Sequence, residues 1–277
     1  MSESTTPRDD ASASSSRYET LLFAVRDGVA TVTLNRPEAA NALNWQMARD
    51  LMDVMLRCDD DPAIRAVVLT ATGKMFCAGG DLKSFAAEQE TMGAHVKEVT
   101  TYLHAAISAM ARMDAPVIAS INGIAAGAGM SMACACDIVI AAESARFTMA
   151  YTRAGLTPDG SSTYYLPRRV GLGRAMELTL TNRVLSAQDA LAWGIVNRIA
   201  PDVELAAQTD ALASELAAGP TGAFGAAKRL LWSGWNTTLE TQMAAESWAI
   251  AAQSHTADAR EGITAFLEKR APRFTGK

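Results

Sequence analysis

The sequence predicts an α/β protein built around a mostly parallel β-sheet. Short apolar runs at residues 66–70, 117–121 and 137–140 are typical of strands that are buried on both faces. Helical stretches separate these runs, and strand–helix–strand alternation implies right-handed crossovers between parallel strands. The length of 277 residues, with 49% hydrophobic and 20% charged residues, fits one large α/β domain with or without an appended subdomain.

Local patterns predict the other elements in order. Residues 20–34 form a candidate β-hairpin, because the strong turn dipeptide Asp27-Gly28 lies between two apolar runs. Asn44 is a candidate N-cap for a helix that extends to about Cys58. The remaining predicted elements are a Gly-containing loop, two helical stretches and a mainly helical C-terminal part, at residues 73–81, 91–113, 131–134 and 186–277.

The composition excludes several classes of protein. With 25 Lys and Arg against 30 Asp and Glu, the net charge of −5 offers no chain-wide attraction to nucleic acid. Four scattered cysteines and three histidines argue against a structural zinc site and fit a reducing compartment. No apolar run reaches the roughly 18 residues of a membrane helix. We therefore expect a soluble, cytoplasmic protein with no metal, nucleic acid or membrane as partner.

The N-terminal segment has a composition of its own. It is polar, rich in Ser and Thr, and lacks the apolar region of a signal peptide. We expect a disordered tail over residues 1–17 and ordered structure from Tyr18 onward.

Two Gly- and Ala-rich turns, FCAGGDL at residues 76–82 and NGIAAGAGM at residues 122–130, follow predicted strands. Small residues there let a ligand approach the backbone, with free N–H groups at the start of the next helix. Two such turns that converge on one carbonyl oxygen would form an oxyanion hole. A single turn of this kind equally fits tight helix–sheet packing. Neither turn has the spacing of a phosphate-binding or dinucleotide-binding loop.

Four further segments accompany the two turns: NRPEAANAL at residues 35–43, GLTPDGSST at 155–163, LPRRVG at 166–171 and REGITAFLEKR at 260–270. Together these motifs resemble the crotonase (enoyl-CoA hydratase/isomerase) superfamily over nearly the whole chain. The resemblance implies a crotonase (ClpP-like) fold of repeated ββα units at residues 18–200 and a C-terminal helical trimerisation region at residues 201–277. It also implies a homotrimer or dimer of trimers, an acyl-CoA thioester substrate, and oxyanion N–H groups on Gly80 and Ala128.

The reaction is less clear from the resemblance. Superfamily hydratases use two glutamates, and the matching positions here are Ser131 and Tyr151. Without that pair, nothing in the sequence activates a water and protonates the α-carbon. Asp159 matches the single acidic residue of superfamily isomerases, and its surroundings resemble the ring-opening isomerase branch of phenylacetate degradation. The sequence therefore favours an enoyl-CoA isomerase that moves a proton with Asp159, although Pro-Asp-Gly is also a common turn.

A second resemblance gives the main alternative. In the 4-chlorobenzoyl-CoA dehalogenase branch, a His, an aromatic residue and a nucleophilic Asp occupy positions that correspond to His104, Tyr151 and Asp159. In that branch the Asp attacks an aryl carbon and the His activates water. A lone His on a long helix, however, is more often a packing or surface residue. A hydratase and a non-catalytic binder of CoA thioesters are further alternatives.

The resemblance also implies how the CoA part of the substrate is bound. No separate cofactor is expected, because CoA is part of the substrate. The predicted contact residues, some of which would act on a neighbouring subunit, are Ala39, Ala40, Ala78, Asp81, Leu82, Phe266 and Lys269. A solvated helix end is the alternative for Lys269.

Overall fold

A computed structural model describes residues 18–88 and 90–277. The predicted tail at residues 1–17 lies outside the described residues. In chain order the elements are β1 (Leu21–Arg26), β2 (Val29–Leu34), α1 (Trp45–Asp60), β3 (Ala66–Ala71), β4 (Met75–Cys77), α2 (Leu82–Ala87), α3 (Met92–Arg112), β5 (Val117–Ile121), β6 (Ile124–Ala126), α4 (Ala128–Ala135), β7 (Ile138–Ala142), β8 (Arg146–Thr148), α5 (Ser162–Val170), α6 (Leu172–Thr181), β9 (Leu185–Ser186), α7 (Ala187–Trp193), β10 (Arg198–Ala200), α8 (Leu205–Ala217), α9 (Thr221–Ser233), α10 (Leu239–Gln253) and α11 (Ala257–Leu267).

The larger sheet has the strand order β1-β2-β3-β5-β7-β10. Strands β1 and β2 form the predicted antiparallel hairpin, and its turn residues Asp27 and Gly28 both have positive φ, as a two-residue hairpin turn of this kind requires. All other neighbours in this sheet are parallel. The three strands predicted from apolar runs are its central members, and β5 is buried along its whole length. The prediction of a mostly parallel sheet is confirmed for this layer.

A second sheet corrects the expectation of a single one. Strands β4, β6, β8 and β9 form a separate four-stranded sheet in that order. Consequently the segment predicted as a loop at residues 73–81 contains β4, and the small-residue segment before Ser131 contains β6 and the first three residues of α4. These strands have only two or three residues each, so they carry no periodic pattern that sequence reasoning could detect.

Helices α1 and α3 follow the predictions closely, whereas the short helix α2 between them was not predicted. The Asn44 side chain accepts a hydrogen bond from the Met47 amide at 2.9 Å and caps α1. Helix α3 matches the predicted stretch at residues 91–113 within one residue at each end. The two helices pack against each other, with Trp45 and Tyr102 in edge-to-face contact at 5.9 Å. No helix of residues 18–88 and 90–277 is long and apolar enough to cross a bilayer.

After β10 the described chain is helical, and its last residues fold back on earlier ones. Arg65 donates hydrogen bonds to the carbonyl oxygens of Gly219 at 2.6 Å and Phe274 at 3.1 Å. The buried carboxylate of Asp258 accepts the Gly276 amide at 2.8 Å. These contacts fasten the C-terminal segment to the body of the protein. The division at residues 200 and 201 into core and oligomerisation region stays a prediction.

Helix α10 has no buried residue in the single chain, although more than half of its residues are apolar. Its large apolar side chains are exposed, and Trp248 is 79% exposed. The following helix adds more exposed apolar residues. The set comprises Leu239, Met243, Trp248, Ile250, Ile263, Phe266 and Leu267. Exposed apolar side chains in this number are typical of a protein–protein contact.

The exposed apolar residues of α10 and α11 predict that the protein associates with itself. We expect a trimer or hexamer in size-exclusion chromatography with light scattering, because association would remove this surface from water. Trp248→Glu should shift the protein to smaller species by placing a charge in the contact. A wild-type protein that runs as a monomer at micromolar concentration would contradict the predicted assembly.

Candidate active site

A cavity of about 330 Å³ lies where the two Gly-rich turns meet α3 and the segment before α5. Most of its lining is apolar, which is typical of a small-molecule site with a few polar groups that fix orientation. The lining residues are Leu43, Ala78, Gly79, Gly80, Leu82, Phe85, Val96, Val99, Thr100, His104, Gly127, Ala128, Ala150, Tyr151, Ala154, Leu156, Thr157 and Asp159. All five predicted catalytic residues are among them.

The two turns touch each other through backbone atoms. A Cβ at Gly79 would lie 3.3 Å from the Ala126 carbonyl oxygen, and one at Gly127 would lie 3.2 Å from the Gly79 Cα. Both glycines also have positive φ, which side chains disfavour. Glycine at both positions therefore allows the turns to meet, and it brings the next residues, Gly80 and Ala128, to the same cavity.

The N–H groups of Gly80 and Ala128 donate no hydrogen bond within the described residues, whereas their neighbours do. The Gly127 amide donates to the Thr148 carbonyl at 3.1 Å, and the Asp81 amide donates to the Leu43 carbonyl at 2.9 Å. Ala128 is the first residue of α4, where backbone N–H groups lack intrahelical partners. Two unused donors beside one cavity have the chemistry of an oxyanion hole.

Asp159 stands at the first corner of a tight turn. The Ser162 amide donates to the Asp159 carbonyl at 3.1 Å, and the two central residues, Gly160 and Ser161, have φ values of 57° and 63°. These values are those of a type I′ turn. The turn before α5 holds the Asp159 backbone while its side chain borders the cavity.

One carboxylate oxygen of Asp159 is held and the other is not. The Tyr151 hydroxyl donates to Oδ1 at 2.6 Å, the usual length for a hydroxyl that donates to a charged carboxylate. Oδ2 has no hydrogen-bond partner among the described residues. The carboxylate is therefore fixed through one oxygen and leaves the other available to a ligand.

Tyr151 remains protonated at ordinary pH. Burial raises the pKa of the Tyr151 phenol well above 10, and the adjacent Asp159 carboxylate raises it further, although the Ser131 hydrogen bond opposes this. The Ser131 Oγ lies 2.8 Å from the Tyr151 Oη. The two positions that match the hydratase glutamates thus carry neutral hydroxyls that contact each other.

His104 lies on α3 and lines the cavity, although the residue as a whole is exposed to solvent. Val96 and Thr100 line the cavity from the same face of the helix, at spacings of four residues. Sequence reasoning did not single out these two residues or Phe85 of α2. Val96 and Thr100 lie eight and four residues before His104 on the predicted helix α3, and this spacing was the one sequence signal that could have identified them.

The predicted CoA contacts divide into two groups. Ala78 and Leu82 line the cavity, whereas Ala39, Ala40, Asp81, Phe266 and Lys269 do not. The roles of all seven stay predictions.

The predicted CoA contacts that do not line the cavity have other positions and partners in the chain. Asp81 caps α2 by accepting the Ser84 amide at 3.2 Å, and it forms an ion pair with Arg36 at 3.1 Å. The Ala40 carbonyl accepts the Ala78 amide at 3.1 Å, which joins its loop to the first turn. Phe266 is 83% exposed on α11. In one chain, therefore, the C-terminal residues lie on the surface.

The cysteine next to the first turn has no reactive character. Burial raises the pKa of the Cys77 thiol to about 12, so the thiol is neutral at ordinary pH. Cys77 is therefore a small buried residue of the first turn. Among the described residues, no group of three His, Cys, Asp or Glu side chains is arranged to hold a metal ion.

The fold and this cavity define an acyl-CoA-processing enzyme of the crotonase type, and comparison with known proteins agrees. The family model described as enoyl-CoA hydratase/isomerase matches residues 24–277. The chain belongs to this family. Its fold is also that of the solved enoyl-CoA hydratase from Bacillus anthracis, with a TM-score of 0.88 and 34% identity over 94% of this chain and all of that one.

Curated relatives are named for different reactions. The chain is 41% identical to a probable enoyl-CoA hydratase of Rhodobacter capsulatus and 40% identical to 1,2-epoxyphenylacetyl-CoA isomerase of Escherichia coli, each over 94% of this chain and 99% of the relative. It is 38% identical to 4-chlorobenzoyl coenzyme A dehalogenase-1 of an Arthrobacter species, over 78% of each chain. Family membership and the resemblance to both branches are confirmed. Similarity alone does not identify the reaction.

The contact between the turns can be tested at Gly129. A Cβ there would lie 2.5 Å from the Cys77 carbonyl oxygen, so Gly129→Ala should push α4 away from β4 and displace the Ala128 N–H. We expect a lower thermal midpoint together with a loss of turnover. Gly173→Ala on α6 is the matched control, because a Cβ there meets nothing within 4 Å. The control should be as stable as the wild type or more so, since Ala favours helix by about 1 kcal/mol.

Proposed function

We propose that the protein is an acyl-CoA isomerase that moves a proton along an enoyl-CoA or related thioester, with Asp159 as the proton carrier. One observation carries this proposal: a carboxylate with one free oxygen borders the same cavity as two unused backbone N–H groups. The donors suit a thioester oxygen that gains charge, and the carboxylate suits the proton.

The proposed reaction needs no other reactant. Asp159 Oδ2 takes a proton from C2 or C4 of the acyl group, and the electron pair of the broken C–H bond moves toward the thioester carbonyl. The resulting enolate oxygen accepts hydrogen bonds from Gly80 and Ala128. Asp159 then returns the proton to a different carbon, so the double bond moves and the enzyme is restored. Preorganised donors of this kind each contribute about 10²- to 10³-fold in rate.

The hydroxyls at positions 131 and 151 argue against hydration. Adding water across a double bond requires a group that takes a proton from water and a group that gives one to carbon. Ser131 contacts Tyr151, and the Tyr151 hydroxyl donates its hydrogen bond to Asp159. Neither hydroxyl therefore has the properties of a general base. One carboxylate can move one proton back and forth but does not replace a pair.

A dehalogenase-like reaction is the second candidate, and His104 is the observation that favours it. His104 lines the same cavity as Asp159, in keeping with the resemblance to the dehalogenase branch. In that reaction an Asp159 oxygen would attack an aryl carbon and expel halide. Water, deprotonated by His104, would then hydrolyse the aryl ester. The lack of a hydrogen-bond partner that orients His104 among the described residues favours the isomerase.

A substrate panel distinguishes these reactions. The purified protein is incubated with enoyl-, epoxy- and 4-halobenzoyl-CoA thioesters, and the products are measured by mass spectrometry. We expect a product of unchanged mass with a moved double bond or a rearranged ring. Added water would indicate a hydratase, and halide release would indicate a dehalogenase. No change in any thioester, together with tight binding, would indicate a non-catalytic binder.

The role of Asp159 is tested by Asp159→Asn. The amide keeps the shape of the side chain but cannot carry the proton, so turnover should fall by about 10²-fold or more with little change in acyl-CoA affinity. Asp210→Asn, on the exposed face of α8, is the control and should leave turnover unchanged. Near-normal turnover of the Asp159→Asn protein on a confirmed substrate would refute the mechanism.

His104→Ala separates the two candidates. In an isomerase the effect should be mild, because no water is activated. In a dehalogenase both substitutions would be severe, and the His104→Ala protein would accumulate an aryl ester on Asp159 that intact-protein mass spectrometry detects.

A further inference from the structure

Ser131 is a buried residue that the proposed proton transfer does not use directly. Its side chain faces three oxygens that belong to the site: the Tyr151 Oη at 2.8 Å, the Asp159 carbonyl at 3.0 Å and the Gly127 carbonyl at 3.1 Å. The residue has no exposed surface. A hydroxyl in such a place has a structural or a positioning role, because substrate cannot reach it.

The single proton of the Ser131 hydroxyl has a preferred acceptor. The Asp159 carbonyl already accepts from the Ser162 amide and hydroxyl, and the Gly127 carbonyl already accepts from the Ser131 amide. The Tyr151 oxygen receives no other donor among the described residues, and its own proton goes to Asp159. The hydroxyl of Ser131 therefore donates to Tyr151, which donates to Asp159 Oδ1. Such chains of hydrogen bonds strengthen one another.

Ser131 also connects the carboxylate to the oxyanion donors. It lies in α4, within one turn of Ala128, whose N–H is one of the two unused donors. A Cβ at Gly160 would lie 3.0 Å from the Cβ of Ser131. The absence of a side chain at Gly160 therefore lets α4 and the turn approach each other. One side chain thus contacts the turn that carries the base and is part of the helix that carries the oxyanion donor.

We propose that Ser131 is a positioning residue that holds Asp159, through Tyr151, in register with the oxyanion donor of Ala128. This inference rests on the proposed function, because it assumes that Asp159 carries the proton. It assigns a role to a position where superfamily hydratases place a glutamate. The hydroxyl there orients the remaining carboxylate and takes no part in proton transfer.

The test is a double-mutant cycle on a confirmed substrate. Ser131→Ala should lower kcat by about tenfold with KM within about threefold, because the carboxylate loses its alignment while the cavity wall is unchanged. Tyr151→Phe should lower kcat by at least as much. The double variant should be no slower than Tyr151→Phe alone, since residues in one hydrogen-bond chain are not additive.

Controls separate positioning from simple loss of stability. Ser120→Ala removes another buried hydroxyl, which contacts Thr209 at 2.9 Å; neither residue lines the cavity, so kcat should be unchanged. Ser131→Cys keeps the volume with a poorer donor, and it should lower kcat even if Ser131→Ala does not fold. Thermal unfolding checks that each variant is folded at the assay temperature.

Two results would overturn the inference and leave the proposed proton transfer intact. One is a kcat within twofold of wild type for a folded Ser131 variant while Asp159→Asn is inactive. The other is a double variant whose loss equals the product of the two single losses, which would mean that Ser131 acts independently of Tyr151. Full turnover by Asp159→Asn would refute the proton-transfer mechanism itself, and the positioning role with it.

Discussion

The close contact between Gly79 and Gly127 is the constraint on which the site depends. Two backbone segments, separated by nearly fifty residues in the chain, meet so closely that a Cβ on either glycine would lie only 3.2 or 3.3 Å from the other segment. Because each glycine precedes an unused N–H group, the contact determines where both donors lie. An oxyanion hole needs donors that are fixed before charge develops, and rigid backbone achieves this better than mobile side chains. The second sheet positions the turns, because β4 leads into one of them and β6 leads into the other.

The cost of burying charge limits the polar groups of the cavity. The cavity is mainly apolar, so every charge placed in it needs a partner or raises the cost of folding. Asp159 is the one carboxylate among the lining residues, and the Tyr151 proton compensates it at 2.6 Å. A second carboxylate at position 131 or 151 would remove that donor or place a like charge beside Asp159. The site is therefore organised around one charge, and this limits the reactions that it suits.

The sequence predicted most of the large sheet, the capped helix α1 and the long helix α3, because each has enough residues to show a hydrophobic pattern. It also identified Gly80, Ala128 and Asp159 through their motifs, and the three border one cavity. It did not predict β4, β6 and β8, whose three residues show no period. Nor did it find the hydrogen-bond chain from Ser131 to Asp159, because Ser131 lies 20 residues before Tyr151 and 28 before Asp159, and only the fold brings it to them.

The C-terminal region carries two of the predicted CoA contacts, and both lie away from the cavity. In the proposed reaction the cavity would hold the acyl group and the thioester, since its polar groups suit a carbonyl and a proton. Phe266 and Lys269 lie on the surface, outside the lining of this cavity. The same region bears the apolar residues of α10 and α11, which no element of the described chain covers. If these helices pack on a second copy, the exposed residues of α11 come to lie in an interface. The chemistry of the acyl group would then belong to one chain, and the contacts to the CoA end would depend on assembly.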